Sequence, residues 1–217
     1  MQIRESIAVA RTHEVQKKTL EKYLAAKLPN LHRHILLQEN DAECLTAFVT
    51  EYIEHVPSML DALRDLTKTI GIYSDVENIV NIIDAFFALP LNQDEYPYGL
   101  YELIDEAYFA HRIIEEINDQ VISKVGTPLV PLDVMLSNVV VHDILGDEFA
   151  NTLERVVTYS VESLFDVNAL INNENFKNFA SRYHQSLSDG IKWPCLAKSS
   201  SISLNKDDSD SNNPIIH

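Results

Sequence analysis

The stretch "GLYELIDEAYFAHRIIEEINDQVISK", residues 99–124, decides the fold. Ile104, Ala107, Tyr108, Ile114 and Ile122 recur at steps that a helix of 3.6 residues per turn gathers onto one face. Gly126 and Pro128 follow, and both residue types end helices: glycine adopts the left-handed cap, and proline supplies no amide donor. With Ile104 at zero on the helical wheel, His111 falls at about 340° and Glu115 at about 20°, in the middle of the apolar stripe. The two stand one turn apart and face inward. Burial of either alone is costly, so they are expected to form a structural polar pair. Asp105, Glu106 and Glu116 are expected to face outward.

The same periodicity extends on both sides. Residues 3–28 read as one amphipathic helix through Ile3, Ile7, Ala10, Leu20, Tyr23, Leu24 and Leu28, with Lys17, Lys18, Lys22 and Lys27 on its other face and Pro29 at its end. Residues 41–56 carry a stripe of Leu45, Phe48, Val49, Tyr52, Ile53 and Val56. Pro57 is expected to restart the chain into a third helix ending near Ile70, where Gly71 can cap it. "SDVE", residues 74–77, has the capping-box pattern and opens a helix to about Leu89. Residues 131–145, 147–164 and 173–187 complete the series. The tail "KSSSISLNKDDSDSNN", residues 198–213, has too little apolar surface to order itself. Only five glycines occur, which argues against a turn-rich β-sandwich. The expected architecture is all-α: a mostly antiparallel bundle of about seven or eight helices. Residues 1–196 form a single domain with the basic N-terminal helix packed on it, and residues 197–217 form a disordered tail.

The formal charge is −16, unevenly spread: residues 1–34 hold seven Lys/Arg against three Glu, whereas residues 35–196 hold 8 Lys/Arg against 27 Asp/Glu. An acidic body repels a phosphate backbone, so no nucleic-acid partner is expected. The basic helix is expected to dock on the acidic body; attachment to anionic lipid is a weaker reading, since the body opposes approach. Cys44 and Cys195 are too far apart for a metal-spaced pair and suit reduced thiols. No apolar run has the length of a spanning helix or the place of a signal peptide, so a cytoplasmic location is expected.

Few residues carry a chemical signal. Di-iron chemistry in a bundle wants Glu-x-x-His on each of two helices, and the chain has none; Glu51 and His55 are four apart and read as a solvated pair. His32 and His34 flank Arg33 in a basic turn, and Trp193 with Pro194 reads as an anchor for the end of the folded region. No serine stands in a nucleophile elbow. The segment "VVVHDILGDEF", residues 139–149, places His142–Asp143 after an apolar run, which resembles the signature of HD-type metal-dependent phosphohydrolases. The resemblance implies a divalent metal ion held by His142, Asp143, the upstream His111 and a later aspartate, Asp166 or Asp189, with metal-activated water attacking a phosphoester. A second fragment, "PYGLYELIDEAYFAHRII", residues 97–114, resembles YkvA-like small helical bacterial proteins through Pro97, Gly99, Leu100, Ile104, Asp105, Glu106 and Ala107. It implies a bacterial helical scaffold and no reaction. The leading expectation is a non-catalytic interaction or regulatory protein that uses its acidic surface to bind a protein partner, with no cofactor. The alternative is the HD-type phosphohydrolase.

Overall fold

The computed structural model describes residues 2–37, 41–87, 99–130, 132–187 and 202–204, and the apolar stripes within them become nine α-helices. Gln2–Lys17 (α1) and Thr19–Lys27 (α2) lead through a 3-10 turn at Leu28–Asn30 to a short strand, Ile35–Leu36 (β1). Asp41–Thr69 (α3) and Tyr73–Phe87 (α4) follow. A second 3-10 turn, Leu100–Leu103, enters Ile104–Val125 (α5). Met135–Leu145 (α6), Asp147–Leu164 (α7), Val167–Asn172 (α8), Glu174–Leu187 (α9) and the strand Ser203–Leu204 (β2) complete the order. The described residues are all-α apart from the β1–β2 ribbon, which is antiparallel with Ile35 opposite Leu204.

The core is built around α5. Five consecutive residues, Ala107 to His111, are all buried, which a helix shows only when covered on every side. The covering elements are α3, α4, α6, α7 and α8.

Several helix boundaries differ from the sequence expectation, among them the start of α6, at Met135 rather than 131. The 3–28 helix is broken at Lys18, whose backbone is left-handed (φ 52°, ψ 47°). The break is held by Glu14, whose carboxylate accepts from the Thr19 hydroxyl at 2.7 Å and the Leu20 and Glu21 amides at 2.8 and 3.3 Å. Burial raises this carboxyl, but those donors outweigh it and hold the group below the usual carboxylate range. Pro57, conversely, does not restart the chain: α3 runs through it. The lost amide and the ring clash cost about 3 kcal/mol. Tyr52, Ile53, Val56, Met59, Leu60 and Leu63 nevertheless continue one buried stripe across it, each contributing about 1.5–3 kcal/mol. Ser74 lies inside α4 rather than capping it, α8 was not anticipated, and Gly71 is left-handed (φ 74°) after α3, as its capping role requires.

The first half of the expected basic helix, α1, is docked on the acidic body, while Lys18, Lys22 and Lys27 fall at the break and on α2. Ile3, Ile7 and Ala10 are buried, Arg4 donates to Asp61 and Arg11 to Glu54, both at 2.7 Å. Part of the expected tail is placed: Ser203 and Leu204 form β2, and Ile202 is buried. Leu89, Pro97, Asp189, Trp193, Pro194, Cys195 and the rest of the tail lie outside the described residues.

Candidate functional site

Beside α5 lies a cleft of about 500 Å³, with the 32–35 turn, Leu204 and α6 among its walls. Its floor is formed by α5 and α7. Local sequence explains the placement. Gly146 joins α6 to α7 with φ 90°, a region closed to most side chains, so the two helices follow each other without a loop. The 32–35 turn is pinned to the end of α6 by Asp143, whose carboxylate accepts the His32 amide at 2.7 Å.

The floor is a continuous polar network. Arg112 donates to Glu115 and lies 3.5 Å from Glu154 through Nε. Glu115 also accepts from Asn138, whose Oδ1 accepts the buried Tyr52 hydroxyl at 2.7 Å. Tyr108 donates to Glu154 at 2.6 Å, and His142 Nδ1 lies 3.1 Å from the Tyr108 oxygen and 3.2 Å from Glu154. The other imidazole nitrogen faces Asp147 at 3.3 Å. Burial raises the Glu154 carboxyl, but Tyr108, Arg112 and His142 outweigh it, so the group sits below the usual range. Burial and then the bond to Glu154 push the Tyr108 phenol far up, which keeps it a hydrogen donor. Burial pulls Arg112 down, but Glu115 and the neighbouring acids outweigh it and hold its guanidinium above the ordinary value.

The structure distributes the sequence-derived residues differently from expectation. His111 and Glu115 do not pair: His111 Nε2 bonds the Tyr52 carbonyl at 3.1 Å, while Glu115 is taken by Arg112 and Asn138. Ridge geometry along one helix allowed the pair, but closer partners arrive from α3 and α6. His111 also stacks on His55, with ring centroids 5.5 Å apart, so His55 is half-buried rather than solvated. The four candidate metal ligands His111, His142, Asp143 and Asp166 are spent separately. His142 and Asp143 border the cleft, Asp143 holding the His32 amide, and Asp166 caps α8 through the Asn168 and Ala169 amides. Among the described residues no group of three or more His, Cys, Asp or Glu side chains is placed to hold a metal ion. Glu106 is half-buried rather than outward; burial first, then the bond to Asp105 and its charge, raise its carboxyl to about 9.

Sequence reading missed Tyr108, Arg112, Asn138 and Glu154 as a site. Glu154 carried a signal, since it follows Ala150 by four and precedes Val157 by three, on the buried stripe of α7. The apolar rim was also missed: Met135 and Val139 on α6 are 68% and 43% exposed, and Leu204 opposite them is 41% exposed. No helix among the described residues is long and apolar enough to cross a membrane. Compared with known protein families, curated proteins and solved structures, the chain matches none.

Proposed function

We propose that this chain is a non-catalytic interaction protein that receives a protein partner at the cleft between α6 and the β1–β2 ribbon. The carrying observation is that the carboxylates of the cleft floor are taken up by neighbouring donors, with the buried Arg112 Nε as an atom that makes no hydrogen bond. Glu115 and Glu154 each take several donors, Tyr108 and Asn138 are bonded, and Arg112 lies between the two carboxylates. Such a network fixes the shape of the cleft and leaves no group committed to a reacting atom. Around it, Met135, Val139 and Leu204 hold apolar surface in water, the pattern of an interaction surface with an apolar centre and polar surroundings.

The test is a photo-crosslinking amino acid placed at position 135 or 139 in living cells. A discrete protein adduct is expected from both positions and not from the exposed position Glu162 on α7. Met135→Glu, with the crosslinker at 139, is expected to abolish the adduct. Repeated absence of any adduct from both rim positions would overturn the reading.

A further inference from the structure

We propose that the cleft receives a basic segment of its partner, an arginine or lysine side chain flanked by apolar residues. This rests on the cleft being the partner site and adds the chemistry of what binds there. Along α6, steps of four lead from Met135 to Val139 to Asp143, and beyond the turn at Gly146 Asp147 stands at the start of α7. Steps of four lie on one helix face, so the open side of α6 changes from apolar to acidic along its length. A matching segment must do the reverse in charge and the same in hydropathy.

The charge at the acidic end is unbalanced. Glu115, Asp143 and Glu154 line the cleft and Asp147 stands beside His142, whereas Arg112 is the guanidinium among the lining residues and is held by Glu115 and Glu154. Arg33 borders the neighbouring depression with Leu31 and Leu37. Asp143 binds a backbone amide and Asp147 an imidazole, so among the described residues neither carboxylate has a lysine or arginine partner. The whole chain, at −16, adds a field of the same sign, which draws a cationic partner and repels nucleic acid. Leu204 across the cleft supplies apolar surface for the residues flanking the cation.

The full chain is titrated into a fluorescein-labelled octapeptide of alternating leucine and arginine, and into its citrulline and glutamate counterparts. Saturable anisotropy is expected for the arginine peptide, about tenfold tighter than for the citrulline one and weakened by added salt. Asp143→Asn with Asp147→Asn is expected to lose about tenfold in affinity, with the thermal melt lowered only slightly because the asparagine Oδ1 can still accept the His32 amide. Asp147→Asn alone, whose side chain holds no backbone group, is expected to move the same way. Equal binding of the arginine and citrulline peptides, undiminished affinity in both variants, or displacement by spermidine at the concentration of unlabelled peptide would each overturn the proposal. So would binding of none of the peptides. Crosslinking at positions 135 and 139 is read independently, so a cleft that docks a partner of other chemistry is distinguished from a cleft that docks nothing.

Discussion

His111 and Glu106 lie on the same helix and carry opposite consequences of burial. Burial, then the neighbouring His55, depress the His111 imidazole to about 3, while Glu106 is raised to about 9. Between pH 6.5 and 3 the unfolded chain protonates at His111 and the folded chain does not, so this residue's stabilisation is present above 6.5 and lost as pH falls. Glu106 has the reverse sign: its stabilisation is complete below 4.5 and lost as pH rises toward 9. Each slope approaches about 1.4 kcal/mol per pH unit inside its window, so from pH 6.5 to 4.5 the two oppose each other. Urea unfolding across pH 8 to 4.5 separates them. Glu106→Gln is expected to fall more steeply with acid than wild type, and to exceed wild type in stability most clearly at pH 8. His111→Gln, whose amide can still donate to the Tyr52 carbonyl, is expected to gain stability on acidification relative to wild type. Parallel curves for all three proteins would show that neither group is perturbed as the structure places it. In the cleft, Glu154→Ala leaves the Tyr108 hydroxyl with His142 and removes one of the two carboxylates beside Arg112, and is expected to cost about 1–3 kcal/mol. Glu154→Gln keeps an acceptor for Tyr108 and is expected to cost less, by the same unfolding measurement.

At the level of elements, the joint between α1 and α2 makes the firmest prediction. A Cβ added at Gly99 would lie 2.4 Å from the Thr19 hydroxyl oxygen, which is already fixed by its bond to Glu14. Gly99 has φ −86°, so the obstacle is contact and not backbone strain. Gly99→Ala is expected to cost about 1–3 kcal/mol. In a Thr19→Ala background the added cost is expected to shrink, a coupling that a double-mutant cycle in denaturant reads directly. Additive losses would mean that Thr19 is not what the methyl meets. This joint also marks the limit of what the sequence discloses. Apart from the short α8 and the break expected at Pro57, the helices from 41 onward were legible because each has an apolar stripe to bury, and α5 was legible as the central one because its stripe is the cleanest. The break at Lys18 was not, since lysine carries no left-handed signal and its cause is a carboxylate at Glu14 folding onto the next helix. Pro57 misled for the converse reason: a strong local stop was overridden by apolar residues matching on both sides. The candidate site followed the same division. Glu154 was overlooked although it is an acid on a buried stripe, whereas its partners Tyr108, Arg112 and His142 come from other helices and become partners only when α5, α6 and α7 pack.

Across the whole molecule, the question is what holds a basic helix to an acidic body. The charge layout suggested docking, and Arg4–Asp61 and Arg11–Glu54 are ionic contacts between α1 and α3. Both pairs are substantially solvated, and such pairs contribute less than about 1 kcal/mol each. Beneath them Ile3, Ile7 and Ala10 are buried against the turn before α5 and against α3 and α4. Truncating one buried isoleucine costs about 2–5 kcal/mol, so the apolar contact outweighs the ionic one and charge serves to orient the helix. Arg4→Gln with Arg11→Gln is therefore expected to lower stability by less than about 2 kcal/mol in low salt. The difference from wild type should narrow further at 1 M salt, where the screening length falls to about 3 Å. Ile7→Ala is expected to cost more than the two arginine changes together and to keep that cost in high salt. Hydrogen exchange of α1 amides reads the same contrast locally: Ile7→Ala should accelerate exchange throughout α1, the arginine variants only slightly. Should the arginine variants prove the more damaging, or the isoleucine cost vanish with salt, the helix would be held by the field of the acidic body and not by its buried face.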